Sequence, residues 1–161
     1  MAEAWTAALE ATELAVMLRG SVWAYPLVNA GHLIGVALLV GSIVPLDLRL
    51  LGLWQSVPLA PVWRVLTRTA GFGLGLAIAC GMLLFIIRAT EYADASFFIF
   101  KMAIVAVGTV NALVLHMVMP DDCLLARWGA CRLPVRVRSA ACISLVSWLS
   151  ALILGRLVGY F

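Results

Sequence analysis

Four long runs of apolar residues, separated by short polar or proline-containing segments, dominate the pattern along the chain. A membrane hydrocarbon core about 30 Å thick needs about 20 apolar residues per helical span, and each run is long enough. Because lipid offers no partners for backbone N–H and C=O groups, such runs form α-helices. The predicted spans are residues 23–46, 67–88, 97–119 and 139–159.

The connections between the predicted spans differ in length. Residues 89–96 leave room only for a tight antiparallel hairpin between the second and third spans. The first connection contains Pro58 and Pro61, and the third contains Pro120 and Pro134, so we expect short interfacial turns or helices in both. The pattern therefore predicts one all-α domain, a four-helix transmembrane bundle.

Residues 1–22 are predicted to form an amphipathic helix that lies on the bilayer surface. At helical spacing one apolar face is opposed by Glu3 and Glu10, a pattern typical of interfacial helices. That face carries Trp5, Ala8, Leu9, Thr12 and Val16. The acidic start of the chain argues against a cleaved signal peptide, which begins with basic residues. The alternative is a frayed acidic tail.

Composition excludes several classes of protein. The chain is 65% hydrophobic and 12% charged, whereas soluble domains are about 45–50% apolar and about 25% charged. The net charge of +3 comes from scattered basic residues that form no nucleic-acid patch. The four cysteines lack the spacings of a zinc site or of c-type haem attachment.

The distribution of basic residues predicts the orientation in a bacterial inner membrane. Cytoplasmic flanks carry an excess of Lys and Arg, and seven such residues lie on one side against four on the other. The seven are Arg49, Arg64, Arg68, Arg127, Arg132, Arg136 and Arg138, and the four are Arg19, Arg88, Lys101 and Arg156. Both termini are therefore predicted to lie outside the cytoplasm.

The few polar residues inside the spans are candidates for a functional site, because intramembrane ionisable groups are costly and usually functional. Counted at about 1.5 Å per residue from the outer end, His32 lies about 14 Å deep and Lys101 about 6 Å deep. Met82 and Cys80 on the antiparallel second span lie about 9 and about 12 Å deep. Residues nearby in height are Tyr25, Asn29, Arg88 and Arg156.

This inventory predicts a haem b site in the outer half of the bundle. Haem takes an axial His or Met, apolar walls and cations for its propionates, and bundle interiors supply these from facing helices. The predicted cofactor-binding residues are His32, Lys101, Met82, His116, Arg88, Tyr25 and Asn29. His32 is the leading iron ligand, and His116 ranks second because the two histidines differ in height by about 15 Å.

Simpler interpretations remain open for each candidate. His32 is equally well explained as a hydrogen-bond donor to a neighbouring helix, and Lys101 and Arg156 as side chains that reach the outer interface. Asp47 is predicted to pair with Arg49 or Arg68 at the inner end rather than to relay protons.

Three pairs of small residues, spaced four apart, permit close helix contact. They are Gly31 with Gly35, Ala77 with Gly81, and Gly155 with Gly159, the last of which is a candidate homo-oligomer contact.

Two alternative functions also remain open. One is a permease with an ion or copper path, and the other is a non-catalytic assembly subunit. The copper path would use His32, Cys80, Met82 and Met102.

Two stretches of the chain resemble a known family of membrane proteins. The segment at residues 23–35, with His32, and the segment at residues 40–52, with Asp47 and Arg49, resemble a family of small bacterial four-helix membrane proteins. The third span, with Lys101, continues the likeness up to about residue 120.

More distantly, the chain is similar to the haem-binding J-type protoporphyrinogen oxidases and to the copper-resistance D membrane domain. The likeness rests on a His early in the first span, an Arg just after that span and a Lys that opens the third. The resemblance to the oxidases implies that His32 is a haem ligand and that Lys101 is needed near the haem. A quinone or another redox partner would then accompany the protein in the lipid bilayer.

Overall fold

The computed structural model describes residues 2–119 and 133–157, and this part of the chain is built from α-helices. They are α1 (Ala2–Glu10), α2 (Glu13–Gly20), α3 (Ala24–Leu51), α4 (Leu59–Ile87), α5 (Ala89–Asp94), α6 (Ser96–Val118) and α7 (Val135–Leu157). Helices α3, α4, α6 and α7 are long and apolar enough to cross a membrane. The predicted all-α four-helix membrane bundle is confirmed.

The connection between α3 and α4 is shorter than the apolar runs indicate. Helix α3 continues to Leu51 and ends at Gly52, whose φ of 110° is the left-handed conformation that favours glycine at a helix end. The Arg49 guanidinium donates to the carbonyl oxygens of Val57 at 3.0 Å and Gln55 at 3.3 Å. Helix α4 begins directly after Pro58. We call this end of the bundle the Gly52 end.

The opposite end of the bundle, which we call the hairpin end, contains residues 20–23 and 88–95. Helix α3 packs on α4 and on α7, and α7 packs on α6. Aromatic rings connect α4 with α6 near both ends. The centroids of Phe85 and Phe98 lie 5.5 Å apart, and those of Trp63 and His116 lie 6.2 Å apart.

The large buried side chains are concentrated in the half of the bundle nearer the Gly52 end. All four long helices, with the residues next to them, contribute to one cluster of Leu46, Leu50, Leu59, Trp63, Leu115, Met119, Val137 and Ala141. A second cluster, nearer the middle, contains Leu39, Ile43, Ala70 and Trp148. Many other large apolar side chains are exposed, as expected for surfaces that face lipid.

Small residues bring α3 and α4 together in the other half of the bundle. A Cβ atom on Gly35 would lie 2.5 Å from the backbone nitrogen of Ala77 and 2.8 Å from the carbonyl oxygen of Gly73. A Cβ atom on Gly81 would lie 3.2 Å from the ring of His32. The predicted role of these small residues in close helix packing is confirmed.

The N-terminal segment differs from the single amphipathic helix predicted for it. Helices α1 and α2 are separated at Thr12, whose hydroxyl accepts from the backbone N–H of Ala15 and donates to the carbonyl of Leu9. Trp5 stacks on Phe85 at 6.3 Å, while Thr6 is 1% exposed. The buried face therefore differs from the predicted one, because α1 packs against α4 and α5.

Glu10 is predicted on the polar face, but in the structure it binds α1 to the hairpin end. Its carboxylate accepts a hydrogen bond from the backbone N–H of Thr90 at 2.8 Å and lies 3.9 Å from the Arg19 guanidinium. Arg19 also donates to the carbonyl of Ile87 at 3.4 Å and to that of Glu10. The Thr90 N–H lowers the pKa of Glu10 below its ordinary value, against an opposing contribution from burial.

This contact predicts that a fall in pH weakens the attachment of α1 to the hairpin end. Because the folded pKa of Glu10 is lowered, its contribution to stability is complete above the unfolded value of about 4.3 and disappears as the pH falls through the folded pKa. We expect hydrogen-exchange protection of the Thr90 amide to fall in this range. Glu10→Ala should lower that protection at neutral pH, whereas Glu13→Ala should leave it unchanged. Equal protection in both variants would contradict the contact.

Candidate functional site

His32 lies at the contact between α3 and α4. Its Nδ1 atom is 2.8 Å from the carbonyl oxygen of Ala77 on α4. Because a carbonyl oxygen only accepts hydrogen bonds, this contact requires the proton on Nδ1, and in the neutral ring Nε2 then has the free lone pair. The bond to a neighbouring helix is thus confirmed. It also orients the ring as backbone carbonyls orient metal-binding histidines.

A glycine on α4 makes room for the His32 ring. A Cβ atom on Gly81 would lie 3.2 Å from both Cε1 and Nδ1 of His32, closer than ordinary contacts allow. The ring therefore packs directly against the backbone of α4, one turn from its hydrogen-bond partner Ala77. The Gly81 spacing signalled close packing in the sequence, but nothing there identified the Ala77 carbonyl.

Cys80 and Met82 are the two sulfur-containing candidates at about the depth of His32, and they lie on different faces of α4. The Sγ atom of Cys80 would be 2.9 Å from a Cβ atom on Gly31, so Cys80 packs on α3 directly beside His32. Met82 is 60% exposed. The depth count gave no direction for Met82, and because each residue along a helix turns by about 100°, its side chain points away from that of Cys80.

Lys101 approaches the same region from α6. It is half-buried, and its Nζ and Cε atoms lie 3.5 Å from the position of a Cβ atom on Gly155 of α7. Gly155, proposed from sequence as a homo-oligomer contact with Gly159, thus faces a side chain of its own chain. Gly159 lies outside the described residues.

A small open pocket lies at the hairpin end, one side of which is formed by the start of α3. It has a volume of about 230 Å³ and is lined by Arg19, Tyr25, Ile87 and Arg88. Arg88 also forms an ion pair of 3.0 Å with Glu91. Typical ligand pockets measure about 300–1,000 Å³, so this one fits a carboxylate or phosphate group rather than a whole ring. The sequence indicated Tyr25 and Arg88 but not Arg19.

The remaining candidates, Asn29 and His116, are both exposed. Asn29 shares a helical stripe of α3 with Tyr25 and His32, and its part in a haem site stays a prediction. His116 is exposed and stacks on Trp63 near the Gly52 end, with ring planes 8° apart. The two histidines therefore lie in opposite halves of the bundle. Simple pairing of His32 and His116 on one iron does not fit this arrangement.

The ion pair predicted for Asp47 is also absent from the described residues. The Arg49 guanidinium is bonded to the 52–58 connection, and Asp47 instead faces Ser144 of α7. Side chains two residues apart on a helix point in different directions and do not meet. Arg68 is exposed on α4.

Within residues 2–119 and 133–157, no group of three or more His, Cys, Asp or Glu side chains could together hold a metal ion. Met102, a candidate in the copper path, is 48% exposed. Comparison with family models, curated proteins and solved structures yields no match to this chain.

Proposed function

We propose that this chain is a haem b-binding redox protein of the bacterial inner membrane. The observation that carries the proposal is the hydrogen bond between His32 Nδ1 and the Ala77 carbonyl, at 2.8 Å. It fixes the ring against α4 and leaves Nε2 as the nitrogen with a lone pair, the arrangement found in metal-binding histidines. His32 is the proposed axial ligand.

The arginine-lined pocket supports the same proposal. Tyr25 lies seven residues before His32 on α3, or about 10 Å along the helix. A haem bound through His32 and directed toward the hairpin end would bring its propionates to Arg19 and Arg88, both of which line the pocket. Charge-assisted hydrogen bonds from arginine to carboxylates are strong and directional. Lys101 of α6, whose Nζ atom lies beside Gly155 of α7, is a third cation in the bundle.

Haem b supplies one-electron redox chemistry when bound. The residues of this chain would contribute binding and orientation: His32 presents Nε2, and the Ala77 carbonyl fixes the ring. Arg19 and Arg88, which also contact Glu10 and Glu91, would hold the propionates. The long apolar helices indicate a lipid bilayer environment. A quinone or another membrane-soluble molecule is the proposed redox partner, with electron transfer or small-molecule oxidation as the activity.

The wild-type protein tests the proposal directly. It should be expressed with adequate haem supply, purified in mild detergent, and measured by absorbance and by pyridine haemochrome content per mole of protein. We expect a Soret band and one haem per chain. A colourless wild-type protein would overturn the proposal. If that protein instead bound copper through His32 and Cys80, which are neighbours at the contact between α3 and α4, the permease would become the better explanation.

The orientation of the chain is proposed from the distribution of basic residues. The Gly52 end, on the side richer in arginine, would face the cytoplasm, and both termini would lie outside it. Alkaline phosphatase fused after Phe161 should then be active, and a fluorescent protein inserted at Arg132 should fluoresce. The opposite pattern of activity would reverse the orientation while leaving the haem proposal intact.

A further inference from the structure

Helices α3 and α7 contain buried polar side chains that the proposed haem site does not use. They lie in the middle of the bundle and toward the Gly52 end, and each is 3–7% exposed. They are Ser42 and Asp47 of α3 and Ser144, Ser147 and Trp148 of α7. Buried polar groups in an apolar bundle are costly unless they have partners, so this set requires an explanation.

Asp47 is the critical member of the set because its carboxyl group is only partly satisfied. The side chain is 3% exposed, and the Ser144 hydroxyl lies within hydrogen-bonding reach of it. The Oδ2 atom is buried and has no hydrogen-bond partner within residues 2–119 and 133–157. An ionised carboxylate has two oxygens that accept about four hydrogen bonds in total. This environment provides far fewer.

No positive charge compensates Asp47 in the described part of the chain. Arg49 of α3 is bonded to carbonyls of the 52–58 connection. The other titratable groups toward this end are exposed at the surfaces of the helices. They are Arg64 and Arg68 of α4, His116 of α6, and Arg136 and Arg138 of α7.

The physical consequence concerns the form in which the carboxyl exists. Removing an ionised carboxylate from water without a counter-ion costs far more free energy than removing a neutral polar group. A neutral carboxylic acid accepts fewer hydrogen bonds than an ionised carboxylate. One serine hydroxyl and an Oδ2 atom without a partner therefore suit the neutral form better than the ionised form.

We propose that Asp47 is an intramembrane proton-binding site at the interface of α3 and α7, where it is held as a neutral carboxylic acid by its buried, unpartnered oxygen. The site is separate from the proposed haem site and does not depend on it. Asp47 lies four residues from the end of α3 at Leu51, or about 6 Å. Apolar clusters lie on both sides of it along the bundle, that of Leu46 and Leu50 toward the Gly52 end and that of Leu39 and Ile43 toward the middle.

Dicyclohexylcarbodiimide tests this proposal, because it is apolar and modifies carboxyl groups in their protonated form. The full-length protein in lipid nanodiscs should be treated at neutral pH and analysed by peptide mass spectrometry. We expect one adduct on the peptide that contains Asp47 and complete loss of that adduct in Asp47→Asn. Exposed acids such as Glu13 should remain unmodified. Because the adduct is mapped in the wild-type protein, the test does not depend on folding of the variant.

Infrared spectroscopy of the wild-type protein gives the second measurement. The spectrum should contain the C=O stretch of a neutral carboxylic acid, and that band should be absent from Asp47→Asn. An ionised carboxylate with no adduct would overturn the proposal. Protection from the carbodiimide by sodium or potassium at constant pH would also overturn it, since the site would then bind a metal cation. Neither measurement requires haem, so failure here is distinguishable from failure of the haem proposal.

Discussion

Replacing His32 with alanine should remove the bound haem, whereas replacing His116 with alanine should leave most of it. His32 has its Nδ1 atom bonded to the Ala77 carbonyl and its Nε2 lone pair available. His116 is stacked on Trp63 near the Gly52 end of the bundle. Loss of a group that merely orients a metal ligand costs about 10–100-fold in metal affinity, so loss of the ligand itself should cost at least as much.

The measurement is the pyridine haemochrome content of each variant per mole of protein, beside the wild type prepared identically. His116→Ala is the matched control, since it removes the same ring from a membrane-spanning helix of the same chain. Addition of imidazole to His32→Ala should restore the Soret band if the ring acts as a ligand. Restoration would not occur if the substitution had only disrupted the packing of α3 on α4. Equal haem loss in both variants would indicate that both histidines ligate iron.

The positions of the membrane-spanning helices follow from composition, while their ends depend on local contacts. Long apolar runs must be helical in lipid, so all four helices were predictable. Helix α3 nevertheless extends past the predicted end at residue 46, because Gly52 provides the left-handed cap and Arg49 binds the 52–58 connection. The apolar runs alone assign the charged and polar residues at this end of the helix to the connection. Their hydrogen bonds make them part of the bundle.

The site was only partly predictable, because the depth of a residue along its helix does not determine the direction in which its side chain points. The count along the helices correctly placed Cys80 and Gly81 beside the turn of α3 that contains His32. It could not give the rotation of α4, which turns Met82 outward. Nor could it give a contact distant in sequence, such as that between Glu10 and Thr90. The wrong pairing of Asp47 with Arg49 is different, since helical geometry alone argues against it.

Gly35→Ala should destabilise the bundle, whereas Gly41→Ala, the same substitution two turns further along α3, should not. A Cβ atom at Gly35 would lie 2.5 Å from the nitrogen of Ala77 and 2.8 Å from the oxygen of Gly73. Both are backbone atoms, so α4 must shift as a whole. Overpacking of this kind costs about 1–3 kcal/mol. At Gly41 a Cβ atom meets nothing within 4 Å, and alanine gains up to about 1 kcal/mol in helix propensity over glycine.

The two substitutions are therefore expected to change stability in opposite directions, although both add one methyl group to the same helix. The midpoint of unfolding in mild detergent, followed by circular dichroism during a titration with sodium dodecyl sulfate, should fall for Gly35→Ala. It should stay constant or rise for Gly41→Ala.

Gly73→Ala and Gly75→Ala repeat the comparison on α4. A Cβ atom would lie 2.6 Å from the Leu39 nitrogen at Gly73, whereas at Gly75 it meets nothing within 4 Å. Parallel shifts within either pair would mean that close contact between α3 and α4 does not limit stability. The ring of His32 would then lack the rigid support on which its role as a ligand depends.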